Sequence, residues 1–153
     1  MSVIRSFAVL AAAVTLAVPA IAQSHPIAGT WTIEYVRGVR HENGEVSSIM
    51  GTGKLELTQR GDSVVGTLTP VVDAGTPAPP TLALAGRITG DGASLTSAST
   101  ARVNMNGDEQ IVKVTMTWEL NAAGDALSGT MKRVVEGMDM PSDPGPVKGT
   151  RAK

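Results

Sequence analysis

The residues able to do acid–base or metal chemistry are few in this chain. It has no cysteine and only two histidines, His25 and His41, among its 153 residues. His41 stands in the polar stretch RHENGE, where its neighbours are Arg40, Glu42 and Glu45. Such groups could supply a general acid and a general base at the rim of a pocket. A solvated surface loop accounts for the same stretch, so we predict neither an enzyme nor a cofactor.

His25 would become a metal ligand if the chain were cleaved after Ala22. The new N-terminus would then be Gln23-Ser24-His25. A free amine, two deprotonated amides and an imidazole at the third residue form a square-planar nitrogen site that suits copper(II) or nickel(II). Cyclisation of Gln23 would remove the amine. We also expect residues 23–27 to be a flexible tail, because chain termini order poorly unless they are tied down.

The first 22 residues have the pattern of a secretory signal peptide. Arg5 precedes an apolar stretch over 7–18, and the small residues Ala20 and Ala22 suit an Ala-x-Ala cleavage site. The stretch is too short to favour a membrane-spanning helix, and no second one follows. We therefore expect an exported protein, periplasmic or extracellular. Without cysteine, neither disulfides nor a lipid-anchored cysteine are available to it.

Charge gives little indication of a macromolecular partner. The chain has 13 basic and 14 acidic residues, a formal net charge of −1 and no basic cluster. A nucleic acid or an anionic membrane surface is therefore not a predicted partner. No feature of the sequence identifies a protein partner.

Beyond residue 28 the hydrophobic pattern has a period of two, is interrupted by Gly and Asp turn signals, and never sustains a helical repeat. It predicts a single all-β domain over 28–153. Closing sequential strands into an eight-stranded antiparallel up-and-down β-barrel removes the two unpaired edges of an open sheet. A two-sheet β-sandwich is the alternative. The predicted strands are 28–36, 53–59, 63–69, 81–89, 93–103, 109–120, 126–135 and 147–152.

Connection lengths predict which end of such a barrel is open, because alternate connections lie at opposite ends. One end has the three short connections 60–62, 90–92 and 121–125. The other has four connections, three of which are the longest in the domain, so we predict the mouth there. Those four are 37–52, 70–80, 104–108 and 136–146.

Strand alternation also predicts which side chains face the interior. Glycines fall on this inward face at 66, 86 and 129, where they leave space for a ligand or let the strands coil, and coiling is the favoured interpretation. The inward face is mostly aliphatic, so the predicted partner is a small apolar molecule entering at the mouth. A packed core without a cavity accounts for the same pattern and would make this a structural or protein-interaction domain. The predicted lining residues are Leu55, Leu57, Leu84, Met116, Trp118 and Met131.

Gly29 and Trp31 open the first predicted strand, and Arg151 ends the last one. This arrangement resembles the calycin group, the lipocalins and avidin-like proteins. The resemblance implies a lipocalin-like barrel whose closed end is sealed by Arg151 packed across Trp31, a cation–π contact. No C-terminal helix of the lipocalin kind is predicted, and the Trp-rich biotin cage of avidin is missing. The resemblance therefore implies an apolar pocket but no particular ligand.

Overall fold

The computed structural model describes residues 25–105, 107–137 and 143–153, except for the side chains of His41 and Met105. The chain forms a closed barrel of eight antiparallel strands, each paired with the one before it, and the last pairs with the first. This confirms the up-and-down barrel and excludes the sandwich. The strands are β1 (Gly29–Glu42), β2 (Glu45–Arg60), β3 (Ser63–Val71), β4 (Leu82–Thr89), β5 (Gly92–Met105), β6 (Asp108–Ala123), β7 (Ala126–Val135) and β8 (Gly145–Arg151).

Alternate residues of each strand point into the barrel and pack together there, as the period of two predicted. Trp31 and Trp118 are the two largest fully buried side chains. The indole N–H of Trp118 donates to Oγ of Ser97 at 3.2 Å, which pairs the polar atoms of both residues. The buried hydrophobic residues are Ile27, Trp31, Ile33, Tyr35, Leu55, Leu57, Val64, Leu68, Leu84, Ala93, Leu95, Val114, Met116, Trp118, Leu120, Ala122, Leu127, Met131 and Val147.

The inward-facing glycines allow close approach of neighbouring strands rather than room for a ligand. A Cβ on Gly86 would collide with the backbone carbonyl of Ser94 on β5. A Cβ on Gly129 would likewise collide with the carbonyl of Glu119 on β6. Because glycine has no side chain, these positions let the strands coil tightly as the barrel closes.

The connection predicted over 37–52 is wrong, because β1 and β2 continue through it as a long hairpin. They turn at Asn43 and Gly44, whose φ angles of 52° and 82° are those of a two-residue type I′ turn. The pairing of β1 with β8 ends at Tyr35, and that of β2 with β3 ends at Thr52. Residues 36–51 therefore extend beyond the closed part of the barrel, and we call them the first arm.

A second hairpin extends from the same end of the barrel. Strands β5 and β6 stay in register from the pair Gly92–Asn121 to the pair Met105–Asp108. The pairing of β5 with β4 ends at Thr96, so residues 97–113 form a second arm. The two arms stand at the predicted mouth, while the opposite end has only short turns. In the described ranges we find no helix with the length and apolarity that a bilayer crossing requires.

Candidate functional site

The structure brings Gly29, Trp31 and Arg151 together at the closed end. Trp31 is fully buried, and its indole N–H donates to the carbonyl of Ile27 at 3.0 Å. Cζ of Arg151 lies 4.2 Å from the centre of the Trp31 ring. Gly29 has a φ of +133°, and a Cβ there would collide with the guanidinium of Arg151. Glycine at this position therefore lets the guanidinium lie over the indole.

Arg151 also fastens the chain that precedes β1. Its guanidinium donates to the carbonyls of Ala28 at 3.0 Å and Pro26 at 2.8 Å, and its Nε lies 3.4 Å from Oδ1 of Asp125. Ile27, from the same segment, is fully buried. Of the tail predicted to be flexible over 23–27, residues 25–27 thus pack onto the barrel, while Gln23 and Ser24 lie outside the described residues.

The nitrogen atoms that the predicted copper site requires from His25 already have partners. The backbone N–H of His25 donates to Oε1 of Gln59 at 2.6 Å. Its Nδ1 accepts from the N–H of Ile27 at 3.2 Å, and its Nε2 lies 2.7 Å from the carbonyl of Gly90. These contacts place the ring proton on Nε2. Within the described ranges, no three or more His, Cys, Asp or Glu side chains are grouped to hold a metal ion.

We expect the chain cleaved after Ala22 to bind copper(II) about tenfold more weakly than the free tripeptide Gln-Ser-His, because His25 must first leave its hydrogen bonds. The measurement is a titration followed by the violet absorption of a square-planar complex. Gln59→Ala removes one of these anchors and should raise the affinity. Equal affinity for protein, variant and tripeptide would mean that the barrel does not hold His25.

The mouth holds an open cavity of about 560 Å³ above the packed core. This volume falls within the range of small-molecule sites, about 300–1,000 Å³. The cavity lies between the two arms, the β3–β4 connection and the end of β7. Most of its lining is apolar, and Tyr35, Val114 and Met116 form its floor. The other lining residues are Arg37, Gly51, Thr52, Pro70, Val71, Val72, Pro79, Pro80, Leu82, Ser99, Thr100, Ala101, Val103, Arg133 and Val135.

Of the six lining residues predicted from the sequence, only Met116 borders this cavity. The other five are buried in the core below it. Those five are Leu55, Leu57, Leu84, Trp118 and Met131. Residues nearer the mouth on the same inward faces, such as Leu82, Val114 and Val135, line the cavity instead. They point inward, as the predicted residues do, and differ from them only in lying closer to the mouth along the barrel axis.

Two arginines, Arg37 and Arg133, are the charged side chains among the described residues that line this mostly apolar cavity. Nη2 of Arg133, on β7, donates to the carbonyl of Arg37 on the first arm at 2.8 Å. Burial lowers the pKa of the Arg133 guanidinium. Burial also raises the pKa of the Tyr35 hydroxyl, although the charges of Arg133 and Arg37 oppose that rise. The phenol is therefore neutral at physiological pH.

Arg40, Glu42 and Glu45, the described members of the acid–base group predicted around His41, do not border the cavity. Arg40 and Glu42 lie at the tip of the first arm, 3.8 Å apart, with 60% and 68% of their side chains exposed. Glu45 is exposed beside the same turn. Such exposed ion pairs contribute little to stability. The side chain of His41 lies outside the described part of the structure.

Comparison of the chain with protein-family models, with curated proteins and with solved structures gave no match. The likeness to the calycin group accordingly stands on architecture, eight antiparallel strands closed in sequence order. A function for this barrel has to come from the chemistry of its own residues.

Proposed function

We propose that this protein is an exported barrel that binds a small, mostly apolar molecule in its mouth cavity. The observation that carries the proposal is an open cavity of about 560 Å³ with a mainly apolar lining, set above a filled core. Apolar surface moved from water into such a cavity contributes roughly 25 cal/mol per Å². Prolines at 70, 79 and 80 stiffen part of the lining, which lowers the entropy lost when a ligand binds.

Filling the cavity should abolish binding without unfolding the barrel. Ala101 lines the cavity from the second arm, above the core, so Ala101→Trp places an indole in the ligand space. We expect its affinity for N-phenyl-1-naphthylamine, a neutral apolar dye, to fall at least about tenfold, or 1.4 kcal/mol. Dye fluorescence measures the affinity.

Ala98→Trp is the matched control, because Ala98 is exposed on the outer face of the same strand. The control should bind the dye as the original chain does. The proposal fails if the unaltered chain does not bind the dye, or if Ala101→Trp and Ala98→Trp bind it equally well.

Export is the second half of the proposal and is supported by the signal-peptide pattern of residues 1–22. Intact-mass measurement of the protein from the exported fraction of its own cells tests it. Cleavage after Ala22 should give a chain that begins at Gln23, free or cyclised. A native mass spectrum of the same sample would show a retained ligand as added mass. A chain that keeps residues 1–22 would contradict the assignment.

A second candidate function is favoured by the outer face of the first arm. Val39, Val46 and Met50 lie on one face there and are 51%, 64% and 48% exposed. Apolar residues grouped in this way are typical of protein-interaction surfaces. The barrel would then be an interaction domain that does not use its cavity. An exported complex that contains a second protein chain, combined with no dye binding, would favour this candidate over the first.

A further inference from the structure

We infer that two copies of this chain pair through β2 of the first arm, strand against strand, to form a symmetric dimer. The contact lies along the edge of β2 that faces away from β1 over 46–51, which we call the free edge. Pairing of this kind does not depend on ligand binding in the cavity. The arm offers the backbone groups, the side chains and the register that it requires.

The free edge has no described backbone partner. Strand β3 pairs with β2 only as far as Thr52, and the β3–β4 connection over 72–81, which adjoins this edge, is described throughout. In a hairpin with a two-residue turn the flanking pair, here Glu42 and Glu45, is hydrogen-bonded. Alternate residues of β2 therefore turn their N–H and C=O groups away from β1. Those residues are Val46, Ser48 and Met50.

The side chains along the free edge do not protect it against strand addition. Charged residues, proline and bulges at an exposed edge keep another strand from pairing there. The segment VSSIMG over 46–51 has neither charge nor proline, and β2 stays regular through it. The opposite edge, on β1, has a bulge at Arg37 and the charges of Arg40 and Glu42. The β2 edge of the arm therefore favours strand addition, and the β1 edge opposes it.

A two-fold axis at Ser48 gives the free edge a self-complementary register. Antiparallel pairing then places Ser48 opposite its own copy, and Val46 opposite Met50 of the second copy. Val46 and Met50 lie on the same outer face and are 64% and 48% exposed. Apolar cross-strand pairs of this kind stabilise a sheet. Moving either strand by two residues would place Ser48 opposite Val46 or Met50 instead, so this register is the one that covers both apolar side chains.

Space and charge for the arm tip of the second copy are present beside the free edge. A groove of about 460 Å³ borders this edge at Met50, Gly51 and Thr52. The register brings Glu45 of the second copy opposite Gly51, on the inner face of the arm. The stem of Arg37 crosses Gly51 on that face, since a Cβ on Gly51 would lie 3.0 Å from Cδ of Arg37. Among the described residues no carboxylate forms an ion pair with Arg37, so Glu45 of the second copy would complement its charge.

Cysteine cross-linking tests the register directly, because the chain has no cysteine of its own. The two copies of Ser48 would have their Cα atoms about 5.5 Å apart, within reach of a disulfide. Ser48→Cys should therefore form a covalent dimer on mild oxidation. Ser47→Cys is the matched control, since Ser47 is the next residue and is also exposed. Its two copies would be diagonal neighbours, about 7–8 Å apart, so we expect at least about tenfold less covalent dimer on a denaturing gel without reductant.

Charge at the same position tests the symmetry of the dimer. Ser48→Lys sets like charges opposite each other, and Ser48→Glu does the same with the other sign. Each variant alone should dimerise at least about tenfold more weakly than the unaltered chain, and an equal mixture of the two should restore the dimer. Thr67→Lys is the control, because Thr67 is exposed on β3 away from the arm. Sedimentation velocity from about 10 µM to about 1 mM measures the association, since an interface of this small size is expected to be weak.

Several outcomes would overturn the inference. One is a monomer for the unaltered chain at every concentration. Another is equal covalent dimer from Ser47→Cys and Ser48→Cys, which would indicate random collision. Assemblies that keep growing with concentration would indicate head-to-tail pairing of different edges. A complex with a different protein chain, without a dimer, would make the arm an interface for that partner. None of these outcomes bears on ligand binding in the mouth cavity, which the dye measures separately.

Discussion

Replacing Trp31 by alanine should lower the free energy of unfolding by about 3–5 kcal/mol, the usual cost of removing a fully buried aromatic side chain. The substitution leaves a void at the closed end of the barrel. It removes the indole donor to the Ile27 carbonyl and the ring under the Arg151 guanidinium. Because Arg151 also holds the segment before β1, loosening of that end should add to the loss.

Urea unfolding followed by the fluorescence of Trp118 measures this effect, since Trp31 and Trp118 are the only tryptophans of the chain. Thr32→Ala is the control, because Thr32 is the next residue on β1 and is exposed. We expect the control to stay within about 0.5 kcal/mol of the original chain. A loss no larger for Trp31→Ala than for Thr32→Ala would mean that the closed end contributes little to stability.

The closed end and the inward faces of the strands were predictable because their signals are local. A half-buried strand must alternate apolar and polar residues, and the alternation identifies the side that faces the core. Met116 and Trp118 on β6 show this clearly, since both were predicted to face inward and both are buried in the structure. Short turns with glycine and aspartate then marked where one strand ends and the next begins.

The first arm was not predicted, because alternation marks a strand only where one of its faces is buried. Beyond the closed part of the barrel both faces of a hairpin meet solvent, so burial does not impose alternation on its residues. Val39 and Val46 are accordingly exposed, and the polar residues around them resemble a loop. The dipeptide Asn43-Gly44 was the available signal, because a two-residue type I′ turn requires positive φ at both positions.

The depth of the cavity could not be predicted from alternation either. Met116 and Trp118 are two residues apart on one face of β6, yet Met116 borders the cavity and Trp118 belongs to the filled core. Height in a barrel depends on how distant strands are staggered and on where each of them ends. The pairing of β8 with β7 begins only at the pair Gly145–Met131, and the pattern of β7 alone contains no sign of where that pairing begins.

Replacing Gly86 by alanine should lower the free energy of unfolding by about 3 kcal/mol, at the upper end of the usual cost of overpacking. Gly86 faces Leu95 across the β4–β5 pair. A Cβ there would collide with the carbonyl of Ser94 and lie 2.8 Å from Cα of Leu95. Both obstacles are backbone, so the added methyl group must push the two strands apart. The separation would weaken their ladder and the core beneath it.

Gly75→Ala in the β3–β4 connection separates this effect from the loss of glycine itself. Gly75 has a φ of +89° and open space around it, so alanine there meets backbone strain of about 1 kcal/mol but no collision. Urea unfolding of both variants should show a clearly larger loss for Gly86→Ala. Similar losses in the free energy of unfolding would mean that β4 and β5 can separate at Gly86 at little cost. The close approach of β4 and β5 at this position would then contribute little to the stability of the barrel.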